Sequence, residues 1–322
     1  MKRISVLIGV LGLLLAAPAG AQPYPSKPIR IVAPFPPGGV ADVLARAIQP
    51  GLQEALGQQV IIDNKPGAGG NIGAEIVAKA DPDGYTLLLA SAGILTINEF
   101  LYSKMPFDPA KAFAPITVVG DMPNIVVVNP KTGLKTLKEL IDKAKAEPGK
   151  LNFGSAGNGT TTHLAIVLLE QAAKIKLAHV PYKGAAPAMS AALSGEVGLM
   201  FGPITQGMPH VKSGKLRVLA VTGAVPSPLL PSVKPLIEQG FPGLIVSNRY
   251  PVMLPARTPD AVASAVTAAF KAVMDDAAIR GRLEAIGITP SWENAAELAR
   301  AIDADLKRWS ELARIAGITA PR

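Results

Sequence analysis

Apolar residues recur along this chain in two rhythms. Runs of strand length at 29–35 (IRIVAPF) and 59–64 (QVIIDN) are each followed by a helical pattern, over 40–57 and 71–79, and YTLLLAS (85–91) and ITVVG (116–120) add two more strands. A second series opens with NIVVVNP (124–130) and runs through LNFGS (151–155), HVPY (179–182), VGLMF (197–201) and LRVLAVT (216–222). Thr136, followed three residues later by Glu139, reads as a capping box for the helix between the first two of these. Strands alternating with helices predict an α/β sheet covered by helices, and two such series predict two lobes. After ARTPDAV (256–262) the pattern becomes almost wholly helical. Thr258 is placed to cap, Pro259 to open the first helix, and Leu298, Ile302, Leu306 and Trp309 form one inward stripe. The Pro/Gly-rich stretch 226–243 is the expected exit from the second lobe. A chain that crosses back, rather than two domains in series, puts a site in a cleft.

The N-terminus adds a destination. Met1-Lys2-Arg3, an apolar run from Ile4 to Ala17 and the small residues Ala19-Gly20-Ala21 have the three parts of a signal peptide, so export and cleavage after Ala21 are expected. The run is shorter than the ~20 apolar residues that span a bilayer, and no later segment qualifies. The chain has no cysteine, which excludes disulfides and a lipid anchor and points to a free, monomeric periplasmic protein. Its formal charge of +8 becomes +6 once Lys2 and Arg3 leave with the leader. The basic residues are scattered and only 5% of the chain is aromatic, so nucleic acid is not an expected partner and small anions suit the balance better.

Two loops carry candidate anion chemistry. In PFPPGGVADV (34–43), proline fixes the backbone before Gly38 and Gly39 release it into a helix start, where free amides favour an anion. Asp42, just inside that helix, reads either as a general base or as a cap for loop amides. In LNFGSAGNGTTTHLA (151–165), Thr160, Thr161 and Thr162 offer hydroxyls beside another helix start. A threonine stands where a phosphate-binding lysine belongs, so nucleotide hydrolysis is not expected, and neither this loop nor KPGAGGNIG (65–73) completes a dinucleotide fingerprint. The second of these reads as a tight turn. Ser155 fails the nucleophile elbow, and His163, His179 and His210 lack metal-ligand spacing, so no enzyme activity, metal or other cofactor is expected.

The stretches YPSKPIRIVAPFPPGGVADVLAR, DNKPGAGGNIGAEIVAKADPDGYTLLLAS, FAPIT, LNFGSAGNGTTTHLA, HVPYKGAAPAMSAALSGEV and GKLRVLAVT together resemble the Bug family, periplasmic solute receptors of tripartite tricarboxylate transporters. The resemblance runs over nearly all of the mature chain. It implies a two-lobed type II periplasmic-binding-protein fold closing on a small carboxylate, with 22–122 as the first part of lobe 1, 123–247 as lobe 2 and 248–322 as a mostly helical return to lobe 1. It further implies that the loop holding Phe35, Pro37, Gly38 and Gly39 grips one carboxylate through amides and ordered waters, with Asp42 counted among the ligand-binding residues. The loop holding Ser155, Asn158, Thr161 and Thr162, with the turn Lys183-Gly184-Ala185, grips the other end. Ser91 is a further expected contact.

Two departures bear on the ligand. Relatives commonly place an acid after the strand matching VGLMF, where this chain has Gly202-Pro203, so an amino acid is not the expected ligand. Where many have Trp-Tyr-Gly this chain has Arg249-Tyr250-Pro251, and Arg249 either pairs with an extra ligand carboxylate or makes a surface salt bridge. The expected ligand is a di- or tricarboxylate or an aromatic carboxylate. The expected partner is a membrane permease, with an extracytoplasmic sensor kinase as the alternative.

Overall fold

The computed structural model describes residues 24–157, 160–182 and 184–315. The leader and its cleavage site, Asn158 and Lys183 lie outside the described residues. The first series of elements runs β1 (Ile29–Ala33), α1 (Val40–Leu56), β2 (Val60–Asn64), α2 (Asn71–Ala78), β3 (Thr86–Leu89), α3 (Ala92–Thr96) and α4 (Asn98–Leu101). Then come β4 (Phe113–Val128), α5 (Leu137–Ala146), β5 (Asn152–Ser155), α6 (Thr161–Ala173), β6 (Ala178–Pro181), α7 (Ala185–Ser194), β7 (Leu199–Pro203), α8 (Ile204–Lys212) and β8 (Arg217–Val221). The chain ends in β9 (Ser247–Pro255), α9 (Asp260–Asp275), α10 (Ala277–Ala285) and α11 (Ala295–Ile315).

These strands make one mixed sheet in the order β2-β1-β3-β9-β4-β7-β5-β6, with β8 paired to β4. Parallel pairs lie towards its two ends, β1 with β2 and β3, and β5 with β6 and β7. The middle is antiparallel. The first half of β4 pairs with β9 and its second half, from Asn124, with β7 and β8. Ile125, Val126, Val127 and Val128 are all fully buried, as a run covered on both faces must be.

The two strands expected at 116–120 and 124–130 are thus one strand of 16 residues. Gly120 and Pro123 look like breaks in sequence, but Gly120 is absorbed where the β4–β9 register shifts between Val118 and Asp121, and Pro123 keeps its place in the ladder opposite Ser247. The return segment opens with a strand, β9, before its helices begin. Thr258 does not cap α9, because its hydroxyl donates to the Pro255 carbonyl instead. The expected box at α5 is half made. Thr136 accepts the Glu139 N–H at 3.1 Å, while the Glu139 carboxylate reaches back to the Lys135 N–H rather than to that of Thr136.

Burial explains why the helices lie where they do. Leu44, Ile48 and Leu52 form a fully buried stripe on α1 and share a core with Val266, Phe270 and Val273 of α9, each such side chain contributing about 1.5–3 kcal/mol. On the opposite side of the sheet, α6 buries Leu164, Ile166 and Leu169 together with Trp309 of α11, the residue expected to end the inward stripe. Among the described residues, no helix is long and apolar enough to cross a membrane.

Candidate functional site

The proline-stiffened loop is held from behind. Gly38 has φ +77°, a conformation glycine alone adopts freely, and its N–H donates to Asp42 Oδ2 at 2.9 Å. The Gly39 N–H donates to the Pro36 carbonyl, and the Phe35 carbonyl accepts from Asn64 Nδ2. Asp42 is 3% exposed and also takes Arg46 Nε at 2.9 Å. Burial would raise its carboxyl, but the hydrogen bonds from Arg46, Gly38 and Asn64 together hold it below the usual carboxylate range. Of the two roles open to Asp42, the geometry therefore provides the loop cap.

With the glycine amides turned into the loop, the outward donors lie one turn further on. The first bond of α1 runs from the Val43 N–H to the Gly39 carbonyl, so the amides of Val40, Ala41 and Asp42 have no intrahelical acceptor, and no side chain caps them. The helices that follow three other strands start in the same way. Ser91 heads α3, Gly184 heads α7 and Pro203 heads α8, none with a side-chain cap. At the C-terminal edge of an α/β sheet such starts are where anions bind. Gly38 of the loop, Val40 of α1 and Thr205 of α8 line one cavity of about 500 Å³, whose other walls include Val43, Met208, Lys212, Leu229 and Ile288.

The second loop is braced internally. Ser155 is fully buried, its hydroxyl 2.6 Å from His179 Nε2, and it accepts the Gly157 N–H. Thr162 Oγ1 accepts the Ala156 N–H at 3.0 Å, Thr160 caps α6 through the His163 N–H, and the Gly184 N–H donates to the Ala156 carbonyl. The structure thus brings Ser155, Thr162, Gly184 and Ala185 together, but the Ser155 and Thr162 hydroxyls serve the loop. Thr161 faces outward and donates to Asn248 Oδ1 on β9 at 3.2 Å. Three residues further along β9, the Pro251 carbonyl accepts the Ala90 N–H, next to Ser91. Strand β9 therefore touches the second loop through Asn248 and the segment leading to Ser91 through Pro251.

Sequence reasoning missed His179. Phe153, His179 and His163 stack face to face, with centroids 4.7 Å apart between the first two and 4.1 Å between the histidines. Only the pairing of β5 with β6 brings residues 153 and 179 side by side. Burial, and then the neighbouring His179, push the His163 imidazole down to about 4, and burial lowers His179 as well. Among the described residues, no group of three or more His, Asp and Glu is placed to hold a metal ion.

Arg249 is occupied by partners within the chain. Its guanidinium pairs with Glu293 and lies 3.9 Å from Asp305, and it sits across the ladder from Asp121. A ligand carboxylate would have to compete with both acids. Burial above all pushes the Asp121 carboxyl up, against the pull of Ser247 and Arg249, and Glu293 and Asp305 add to the rise. A folded carboxyl that keeps its proton to higher pH than the unfolded one loses stability as pH rises through that interval. Asp121→Asn is expected to raise Tm by about 2 °C at pH 7.5, where the wild-type group is more ionised, and by less at pH 4, as thermal scans at the two values will measure.

Comparison with known proteins places this geometry. The profile described as "Tripartite tricarboxylate transporter family receptor" matches residues 44–318. The protein BugT of Bordetella pertussis is 33% identical over 320 residues, covering 98% of each chain. Among solved structures, R. palustris Rpa4515 with adipate superimposes with a TM-score of 0.81 at 32% identity, covering 92% of this chain and all of that one. MatC from Rhodopseudomonas palustris with bound malate gives 0.73 at 28% identity, over 90% of this chain and 99% of its own. A two-lobed α/β chain with paired, uncapped helix starts and this likeness along its length belongs to the tripartite tricarboxylate transporter receptor family, the Bug-type periplasmic solute-binding receptors.

Proposed function

We propose that this receptor captures a small carboxylate between its two lobes in the periplasm and presents it to the membrane permease of a tripartite tricarboxylate transporter. The observation that carries the reading is the uncapped first turn of α1, which meets the start of α8 across one cavity. Charge-assisted bonds of a carboxylate to such amides are worth roughly 1.5–3 kcal/mol each, so three or four account for micromolar binding near −8 kcal/mol after ordering costs. The acids bound by two structural relatives, adipate and malate, agree with that class. In this reading residues 22–122 and 248–322 form one lobe and 123–247 the other. The leader is removed after Ala21, the receptor works as a monomer, and it releases its ligand chemically unchanged.

Calorimetry on the purified mature chain with a panel of mono-, di- and tricarboxylates tests the proposal, since a ligand that binds only the folded state also raises Tm. Saturable binding of at least one carboxylate, recovered intact, is the expected result; no binding across the panel overturns it. Asp42→Ala removes the acceptor that pins Gly38 and is expected to weaken that ligand about tenfold. Unchanged affinity in this variant would show that the loop needs no pin to hold its shape.

A further inference from the structure

The walls of the cavity between α1 and α8 differ from what a small, highly oxygenated acid requires. Besides Gly38, α1 presents Val40 and Val43, and Leu229, Ile286 and Ile288 close the far side. From α8, Thr205, Met208, Pro209 and Lys212 line it at spacings of three, four and seven residues, which is one face of the helix. No acidic side chain is among the lining residues, and Val43 is 36% exposed. The cavity thus has the uncapped start of α1 in its lining, mostly hydrocarbon walls and one cation, Lys212, on the last turn of α8.

From this arrangement we infer that the ligand is an elongated dicarboxylate with an apolar body, linear or aromatic, whose far carboxylate pairs with Lys212. The inference rests on the proposed reading that the first turn of α1 holds a carboxylate. Seven residues separate Thr205 from Lys212, about 10 Å of helical rise, and a helical side chain leans back toward the N-terminus. A chain of about six carbons or a para-substituted benzene ring fills that span, whereas malate or citrate would leave the hydrocarbon walls wet. An ammonium takes a carboxylate as a point charge, so Lys212 sets the length of the acid rather than its orientation. Lys212 also replaces Arg249 as the cation for a second acid group, because Arg249 is held by Glu293 and Asp305.

Calorimetry with adipate, terephthalate, hexanoate, malate and citrate on wild type and Lys212→Met decides the matter. Lys212 is exposed and has no hydrogen-bond or ion-pair partner among the described residues, and a thermal scan of the variant without added acid checks that it folds. Adipate or terephthalate is expected to bind wild type more tightly than malate or citrate. The variant should lose about tenfold for the dicarboxylate and stay within twofold for hexanoate. Val43→Asp, which puts a carboxylate in the wall, should weaken both classes. Tighter binding of citrate or malate, or unchanged dicarboxylate affinity in Lys212→Met, overturns the inference and leaves the receptor reading in place. Failure of all five acids to bind overturns both.

Discussion

Lowering the pH from 7 to 4 is expected to remove on the order of 3 kcal/mol of stability, and most of that loss should disappear in His163→Gln. His163 is 9% exposed and stacked on His179, and in the folded chain its imidazole is pushed down to about 4 from the ordinary value near 6.5. A base with a depressed folded pKa binds fewer protons folded than unfolded. Stability is therefore whole above about 6.5 and is lost as pH falls towards 4, at up to about 1.4 kcal/mol per pH unit for one group. His179 shifts in the same direction and adds to the slope, and Glu170 and Lys176 are the charged groups that line the adjoining pocket with both histidines. Asp42 loses its contribution only at lower pH, because its carboxyl is held below the usual range, so the two effects occupy different windows. Urea unfolding at pH 7, 6, 5 and 4.5 measures the slope directly. Equal slopes in wild type and His163→Gln would mean that the ring column opens without cost.

Gly73→Ala is the second large effect, and its sign opposes helix propensity. Gly73 lies inside α2, where alanine is favoured over glycine by about 1 kcal/mol. A Cβ there would sit 2.8 Å from the Lys65 carbonyl oxygen and 2.8 and 2.9 Å from Pro34 Cβ and Cα. None of these atoms is the flexible end of a side chain, so α2 or the Pro34 loop has to move. Overpacking of this kind costs about 1–3 kcal/mol, and with two backbone elements involved the upper end applies. A net loss of about 2 kcal/mol in unfolding free energy is expected, with weaker carboxylate binding because the displaced segment is the one that leads into α1. Gly281→Ala serves as the control, since nothing lies within 4 Å of a Cβ at that glycine of α10. A stabilised Gly73→Ala would return 65–73 to the role of a simple turn.

Much of the fold could be read because hydrophobic runs and helical stripes alternate clearly up to residue 113 and again from 130 to 222. What escaped did so for local reasons. Residues 248–322 were expected to be a mostly helical return, and Pro251 and Pro255 break the strand pattern of β9, although in its antiparallel ladder the Pro251 carbonyl still receives a hydrogen bond. The 34–39 loop was conspicuous because stiff and permissive residues adjoin there, yet which amides face outward depends on where the Asp42 side chain points, which composition does not record. His179 lies 24 residues from Ser155 and meets it only through strand pairing. Lys212 belongs to a face of α8 that mixes Thr205, Met208 and Pro209, which has no period to recognise.

The middle of the sheet also constrains how the two halves can move. Strand β4 is hydrogen-bonded to β9 along its first half and to β7 and β8 along its second, so no slack linker separates the two sets of strands. Sliding would break ladder bonds on both sides at once, whereas twisting keeps them. The register shifts at Pro115/Thr117 and Val118/Asp121 are where a twisted ribbon yields most readily. In the proposed two-lobed reading, closure is then a torsion about β4 and β9, with Thr161 and Asn248 brought together or parted as the angle changes. The Arg249–Glu293 pair, fixed to the same ribbon, carries that rotation to α11 on the outer surface through Asp305. In the proposed reading, occupancy of the cavity is thereby converted into the attitude of an external helix, a form in which a second protein reads it without touching the ligand.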